Sequence, residues 1–179
     1  MGGGCHEICM LQFHPPPNPL PSREGEHIWK SFAIISSALN RIFDDQSQPR
    51  IFLEASAMLL VFGLIEKRII SIVSSEVLIY ENSQNPHAER QIFVTSVLRK
   101  ARVIQTLSDR LARRAQEIEA LGIKGLDALH LACAERLKAD YFVTCDDRII
   151  RKYTGTVVVV NPVELTMTML KQEADNADS

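Results

Sequence analysis

The stretch LDALHLACAERLKADYFVTCDDRIIR, residues 126–151, decides the fold because its hydrophobic periodicity changes twice over a short distance. Residues 126–138 carry small and apolar side chains at helical spacing, which predicts a helix. Residues 141–144 form a short apolar run of the kind found in strands that are buried on both faces. Residues 146–152 then predict a short helix. A strand between two helices is typical of α/β proteins with a parallel sheet.

The same alternation continues on both sides of this stretch. Short apolar runs predict four further strands, at residues 32–35, 69–73, 103–105 and 156–160. Helices are predicted at 48–67, after a serine cap at 74 or 75 through Glu81, at 87–101, from a Ser108 cap to Gly122, and from Pro162 onward. We therefore predict a three-layer α/β/α sandwich with a central five-stranded parallel sheet.

Residues 1–30 differ in composition from everything that follows. Prolines and glycines are concentrated there, and no helical or strand period is visible, which predicts a disordered leader outside the fold. An alternative is that the proline cluster is a docking ligand for an aromatic groove. We place the folded domain at residues 31–170 and a tail at residues 171–179.

Overall charge and cysteine content limit the function classes. Lys+Arg 20 against Asp+Glu 22 gives a net charge of -2, which argues against a chain that binds nucleic acid through its overall charge. The four cysteines suggest no disulfide framework, and no apolar run is long enough to span a bilayer. We expect a cytoplasmic protein without a membrane partner.

Three acids fall where a parallel sheet places ligands, beyond the carboxyl ends of its strands. Asp127 opens an otherwise apolar helix, Asp146 follows the strand at 141–144, and Glu81 follows the strand at 69–73 by about two helical turns. Carboxylates that cluster at such an edge can share a divalent cation, and oxygen ligands favour magnesium or manganese. Each acid also has an ordinary structural interpretation, as a helix cap or a solvated side chain.

The quoted stretch resembles the C-terminal part of PIN domains, in which an acid opens a small-residue helix and Thr-x-Asp ends the next strand. The segment SSEVLIYEN, residues 74–82, and the loop from Asn40 to Asp45 are also similar to that family, so the resemblance covers about residues 32–165. It implies a metal-dependent endoribonuclease of bacterial toxin–antitoxin type. Magnesium or manganese would be the cofactor, RNA the substrate, an antitoxin protein a partner, and a homodimer the assembly.

The resemblance assigns Glu81, Asp127 and Asp146 as catalytic acids and metal ligands. It also expects a fourth acid at the end of the first strand, and that place falls on Ile35, which cannot bind a metal. Asp44 or Asp45 is an alternative fourth ligand. Two hypotheses follow: an endoribonuclease that is impaired by Ile35, or an inactive PIN scaffold that binds RNA or a protein. An unrelated phosphoryl-transfer domain is a third, although the chain has no glycine-rich phosphate loop.

Several neighbouring residues are predicted to support the site. The Thr144 hydroxyl would orient a carboxylate or water, and Asp147 is either a supporting acid or a cap. The cations Arg148, Arg151 and Lys152 would hold RNA phosphates. Further cations surround the third strand, and for these a solvated helix face is an equally good interpretation: Arg99, Lys100, Arg102, Arg110, Arg113 and Arg114. His130 is expected to be a core histidine.

Overall fold

A single parallel sheet forms the centre of the computed structural model, which describes residues 30–177. Its strands are β1 (Ser31–Ile34), β2 (Ser71–Ser75), β3 (Val103–Gln105), β4 (Tyr141–Val143) and β5 (Val158–Val160). They lie in the order β3-β2-β1-β4-β5, and all four neighbouring pairs are parallel. The predicted five-stranded parallel sheet is therefore confirmed.

Helices connect every pair of consecutive strands. The helices are α1 (Ser36–Leu39), α2 (Pro49–Glu66), α3 (Glu76–Ser83), α4 (Ala88–Leu98), α5 (Asp109–Glu119), α6 (Leu126–Arg136), α7 (Asp147–Lys152) and α8 (Pro162–Ala177), with a 3₁₀ turn at Arg41–Phe43. Within residues 30–177, no helix is both long and apolar enough to cross a membrane.

The sheet is covered on both faces because its strand residues alternate between two apolar clusters. Phe32 and Ile34 of β1 pack in one cluster with residues of α2, α4 and α8. Ala33 and Ile35 pack in the other cluster, with residues of α5, α6 and α7. Since successive strand side chains point to opposite faces, helices on both sides give the predicted three-layer sandwich.

The boundaries of several elements differ from the prediction. The second strand was expected at 69–73 and lies at Ser71–Ser75, because Arg68 adopts a positive φ of 55° and turns the chain after α2. β5 begins at Val158 rather than at residue 156. α8 continues through Ala177, into the segment predicted as a tail. The predicted leader lies outside the described residues, apart from residue 30.

Candidate functional site

The carboxyl edge of the sheet receives side chains from four segments of the chain. Glu81 lies on α3, which Ser75 caps by accepting a hydrogen bond from the Leu78 backbone N–H. Asp127 lies in the first turn of α6, and Asp146 is the N-cap of α7. The segment after β1 reaches the same edge, since the parallel neighbours of β1 end beside it.

Asp127 is half-buried near both other acids. Burial raises the pKa of its carboxyl above the ordinary value, and the negative charges of Asp146 and Glu81 add to this rise. The charges of His130 and Arg148 act in the opposite direction. Asp127 thus lies close enough to Glu81 and to Asp146 to be influenced by the charge of each, although both are far from it in sequence.

Glu81 is held by a buried histidine. Its Oε2 lies 2.9 Å from Nε2 of His130, whose side chain is only 4% exposed. Partial burial opposes ionisation of Glu81, but hydrogen bonds from His130 and Ser36 outweigh it, so the pKa of Glu81 is lowered. His130 is buried as expected, and its ring also fixes one of the candidate acids.

Asp146 is held by a neighbour on its own helix. Its Oδ1 accepts the Arg148 backbone N–H at 2.8 Å, and Nη2 of the Arg148 guanidinium donates to its Oδ2 at 2.6 Å. The hydrogen bond from the Arg148 side chain is the main reason that the pKa of Asp146 is lowered. Asp146 is therefore the N-cap of α7, the alternative that the sequence left open. It also lies at the carboxyl edge of the sheet, which we call the acid edge.

Thr144 is fully buried and orients the backbone around Asp146. Its hydroxyl accepts the Asp146 N–H at 3.0 Å and lies 3.2 Å from the Ser37 hydroxyl. Ser37 also accepts the Cys145 N–H at 3.4 Å. The serines that follow β1 were missed in the sequence analysis, although the rule that placed the acids at this edge also applies to them.

Ile35 is the first residue beyond β1 and lies at the middle of this edge. Its N–H donates to the Val143 carbonyl at 3.3 Å, which places it next to the end of β4. The side chain is 5% exposed and belongs to the apolar cluster under α5 and α6. An apolar side chain therefore occupies the centre of an edge that is otherwise polar.

The predicted supporting cations have different surroundings. Arg148 is paired with Asp146, and the Lys152 ammonium donates to the Gly122 carbonyl at 3.0 Å. Arg151 is exposed and, within the described residues, has no acidic partner within 4.0 Å. Asp147 accepts hydrogen bonds from Arg50 of α2, including one of 2.6 Å, and so joins α2 to α7.

Comparison with known families identifies the fold. The family model described as PIN domain matches residues 36–155, about two thirds of the chain. This chain belongs to the PIN domain family. The match begins one residue after Ile35 and includes all three candidate acids.

Other comparisons add little to this PIN domain assignment. No curated protein matches the chain. One solved structure similar to it is VapBC2 from Rickettsia felis bound to a DNA fragment from its promoter. The identity is 15%, the alignment covers 73% of this chain and 98% of the other, and the TM-score is 0.47. Membership therefore rests on the family model.

The observed arrangement does not fit a PIN-type metal centre. Among the described residues, no group of three or more His, Cys, Asp or Glu side chains is arranged to hold a metal ion. Glu81 is bonded to His130, Asp146 is bonded to Arg148, and Ile35 offers no ligand atom. A metal bound to Glu81 and Asp146 would compete with these in-chain partners.

Proposed function

We propose that this protein is a catalytically impaired PIN-domain ribonuclease, with RNA as the substrate class and weak or absent magnesium-dependent cleavage. The observation that carries the proposal is the position of Ile35, buried in the middle of the acid edge. The acids at this edge support the family's substrate class, since Asp127 lies close enough to Asp146 and Glu81 to be influenced by their charges. A missing ligand misplaces reacting groups, and misplacement by about 1 Å costs about a hundredfold in rate.

Electrostatic pairing inside the chain supports the same proposal. The guanidinium of Arg148 is bonded to both carboxylate oxygens of Asp146, and the ring of His130 to one of Glu81, so a cation would compete with both. Arg151, exposed beside this edge, is the candidate contact for an RNA phosphate. RNA binding without efficient turnover is therefore the expected behaviour of the unmodified protein.

The test is a side-by-side RNA cleavage assay with magnesium and with manganese. The unmodified protein, Asp146→Asn, Ile35→Asp and the double variant Ile35→Asp/Asp146→Asn are compared on one labelled RNA. We expect little cleavage by the unmodified protein, increased cleavage by Ile35→Asp, and loss of this increase in the double variant. Robust cleavage by the unmodified protein that Asp146→Asn abolishes would show that another residue completes the site.

The inactive scaffold is the second candidate, and an exposed apolar surface on α2 favours it. Phe52, Leu53, Leu59 and Leu60 are between 56% and 59% exposed, and they recur at seven-residue intervals along one helix. Such a stripe is a common docking surface for another helix. We propose a protein partner of antitoxin type or a second copy of the chain for this surface, and a cytoplasmic location.

Light scattering after size exclusion tests this second candidate. If the stripe joins two copies, Leu53→Asp/Leu60→Asp converts a dimer into a monomer, while Glu66→Gln at the exposed end of α2 leaves the dimer intact. A monomeric unmodified protein would exclude the second copy and leave the antitoxin-type partner.

A further inference from the structure

A second basic surface lies between α5 and α6, on a groove that the proposed ribonuclease site does not use. The groove has a volume of about 510 Å³, and five cations and two acids line it. Its local charge is thus positive, in a chain whose net charge is -2. A concave cationic surface of this kind attracts a polyanion.

Four of the five cations are available to a ligand. Arg110 and Arg113 project from α5, and Arg136 and Lys138 lie at the end of α6 or just beyond it. All four are exposed, and within the described residues none has an acidic partner within 4.0 Å. Arg110 and Arg113 are three residues apart, so their Cβ atoms lie about 5–6 Å apart on one helix face.

Both acids in the groove are bonded within the protein. Glu135 accepts hydrogen bonds from Arg114 Nε at 2.6 Å, from Arg114 Nη2 at 2.8 Å, and from the Tyr153 hydroxyl at 2.7 Å. Glu117 is paired with the same Arg114. The fifth cation is therefore used within the protein, and Arg114 with its two carboxylates keeps one net negative charge, which the four other cations outweigh.

The wall behind these groups depends on a glycine. A Cβ at Gly155 would lie 2.6 Å from Glu135 Oε1 and even closer to the Tyr153 ring. Only a residue without a side chain lets the backbone approach this hydrogen-bonded group so closely. The groove is thus a packed part of the fold, with a defined wall and exposed cationic side chains around its rim.

From these contacts we infer that the α5–α6 groove binds the phosphate backbone of single-stranded RNA. This inference rests on the proposed function for its choice of ligand. Arg136 lies nine residues after Asp127 on α6, and hence about 13 Å along the helix and on its opposite side. The groove is therefore a separate contact for the strand, away from the acid edge.

Fluorescence anisotropy of a labelled RNA 12-mer, measured in EDTA, tests binding independently of cleavage. Arg113→Gln/Arg136→Gln removes two groove charges and keeps most of the side-chain bulk. The matched control is Lys67→Gln/Arg68→Gln, which removes two exposed charges that follow α2. Circular dichroism melting curves verify that both variants fold.

We expect the groove variant to bind the RNA about tenfold more weakly at low salt, and the control to change affinity less than about twofold. The slope of log affinity against log salt should fall by about 1.4 for the groove variant, since each phosphate contact on a single strand contributes about 0.7. An equal loss in both variants, or no loss in the groove variant, would overturn the inference.

A competition experiment separates RNA from an acidic peptide as the ligand. A glutamate 12-mer should displace the RNA only at much higher concentration, and displacement at equal concentration would overturn the assignment to RNA. The proposed function and the groove inference fail in different assays. If Ile35→Asp does not restore cleavage but the groove variant still binds RNA more weakly in EDTA, only the proposed function is wrong. If cleavage is restored but groove binding is absent, only the groove inference is wrong.

Discussion

Ile35 places an apolar side chain at the carboxyl edge of the sheet, to which several segments of the chain contribute polar side chains. Its methyl groups fill apolar space that a carboxylate would have to share with Ala33 and Phe142. The N–H of residue 35 would still bond to the Val143 carbonyl in a variant, so the backbone there tolerates substitution.

We predict that Ile35→Asp lowers the free energy of unfolding by about 2–4 kcal/mol without metal, because a buried carboxylate replaces a packed side chain. Added magnesium should recover part of this loss, since a ligand that binds only the folded state stabilises it. Urea unfolding with and without magnesium measures both effects. Ile35→Asn is the control, and an equal recovery in that variant would contradict the prediction.

Asp127 is predicted to make the protein less stable as pH rises. Its pKa is raised in the folded state, so the folded protein holds this proton more tightly than the unfolded chain does. The stabilisation is present below the ordinary pKa of 3.8 and is lost above it. Asp127→Asn should therefore gain stability relative to the unmodified protein between about pH 4 and about pH 7.

Asp146→Asn provides a control of opposite sign. The pKa of Asp146 is lowered, so its contribution is present above the unfolded pKa and is lost as pH falls. That variant should lose stability relative to the unmodified protein over the same pH interval. The loss should be small, because Arg148 is largely exposed and solvent screens the pair. Parallel trends in the two variants would contradict the charge assignment.

Glu81 is also predicted to have a structural role. Glu81→Ala leaves Nε2 of buried His130 without its partner, which should cost about 1–3 kcal/mol in the free energy of unfolding. Glu89→Ala, at an exposed glutamate on α4, should change the free energy of unfolding by less than about 0.5 kcal/mol. Urea denaturation of both variants is the measurement, and equal losses would show that the Glu81–His130 contact does not stabilise the fold.

At the scale of elements, α2 is joined to the site by a buried acid. Glu54 is 2% exposed; its Oε1 accepts from Arg50 Nε at 2.8 Å, and its Oε2 lies 2.8 Å from Arg41 Nε. Arg50 in turn binds Asp147 at the start of α7. The network connects the loop after β1, α2 and the segment that carries Asp146.

We predict that Glu54→Ala costs about 1–3 kcal/mol, because Arg41 Nε loses its buried acidic partner, although Arg41 keeps Asp44 and Arg50 keeps Asp147. Arg50→Ala is the matched comparison. Its side chain is 54% exposed, so its loss should cost less than about 1 kcal/mol. Thermal unfolding measures both values, and a smaller loss for Glu54→Ala than for Arg50→Ala would show that this network is not buried in solution.

The elements themselves were largely predictable because short apolar runs and caps are local signals. Ser75 and Ser108 cap their helices as expected, and the β3 boundaries agree with the prediction. The start of β2 was not predictable, since the turn at Arg68 depends on a positive φ that no glycine marks. The Glu54 network was also missed, because its partners come from separate segments and their spacing carries no pattern.

At the scale of the whole molecule, the parallel sheet explains why the acids could be predicted to meet. The rule that parallel strands end at one edge requires only the strand assignments. The partners of those acids required the structure: the spacing of Glu81 and His130 along the chain does not predict their hydrogen bond. The groove between α5 and α6 was likewise visible in sequence only as scattered arginines.

We predict that removal of residues 1–29 leaves the melting temperature within about 3 °C of the full chain, because this segment is rich in proline and glycine and its apolar residues follow no helical or strand period. Limited proteolysis followed by thermal unfolding of the product is the measurement. These residues lie outside the described range, so the prediction rests on sequence alone. Unfolding of the domain after cleavage would show that the leader belongs to the fold.

The central place of β1 also determines when the sheet can form during synthesis. Phe32 pairs with Ile72 on one side and with Tyr141 on the other, so the second partner leaves the ribosome long after the first. Until β4 emerges, one hydrogen-bonding edge of an apolar strand stays open, and such edges recruit other chains. Translation that stalls between α5 and β4 would therefore leave an aggregation-prone nascent chain.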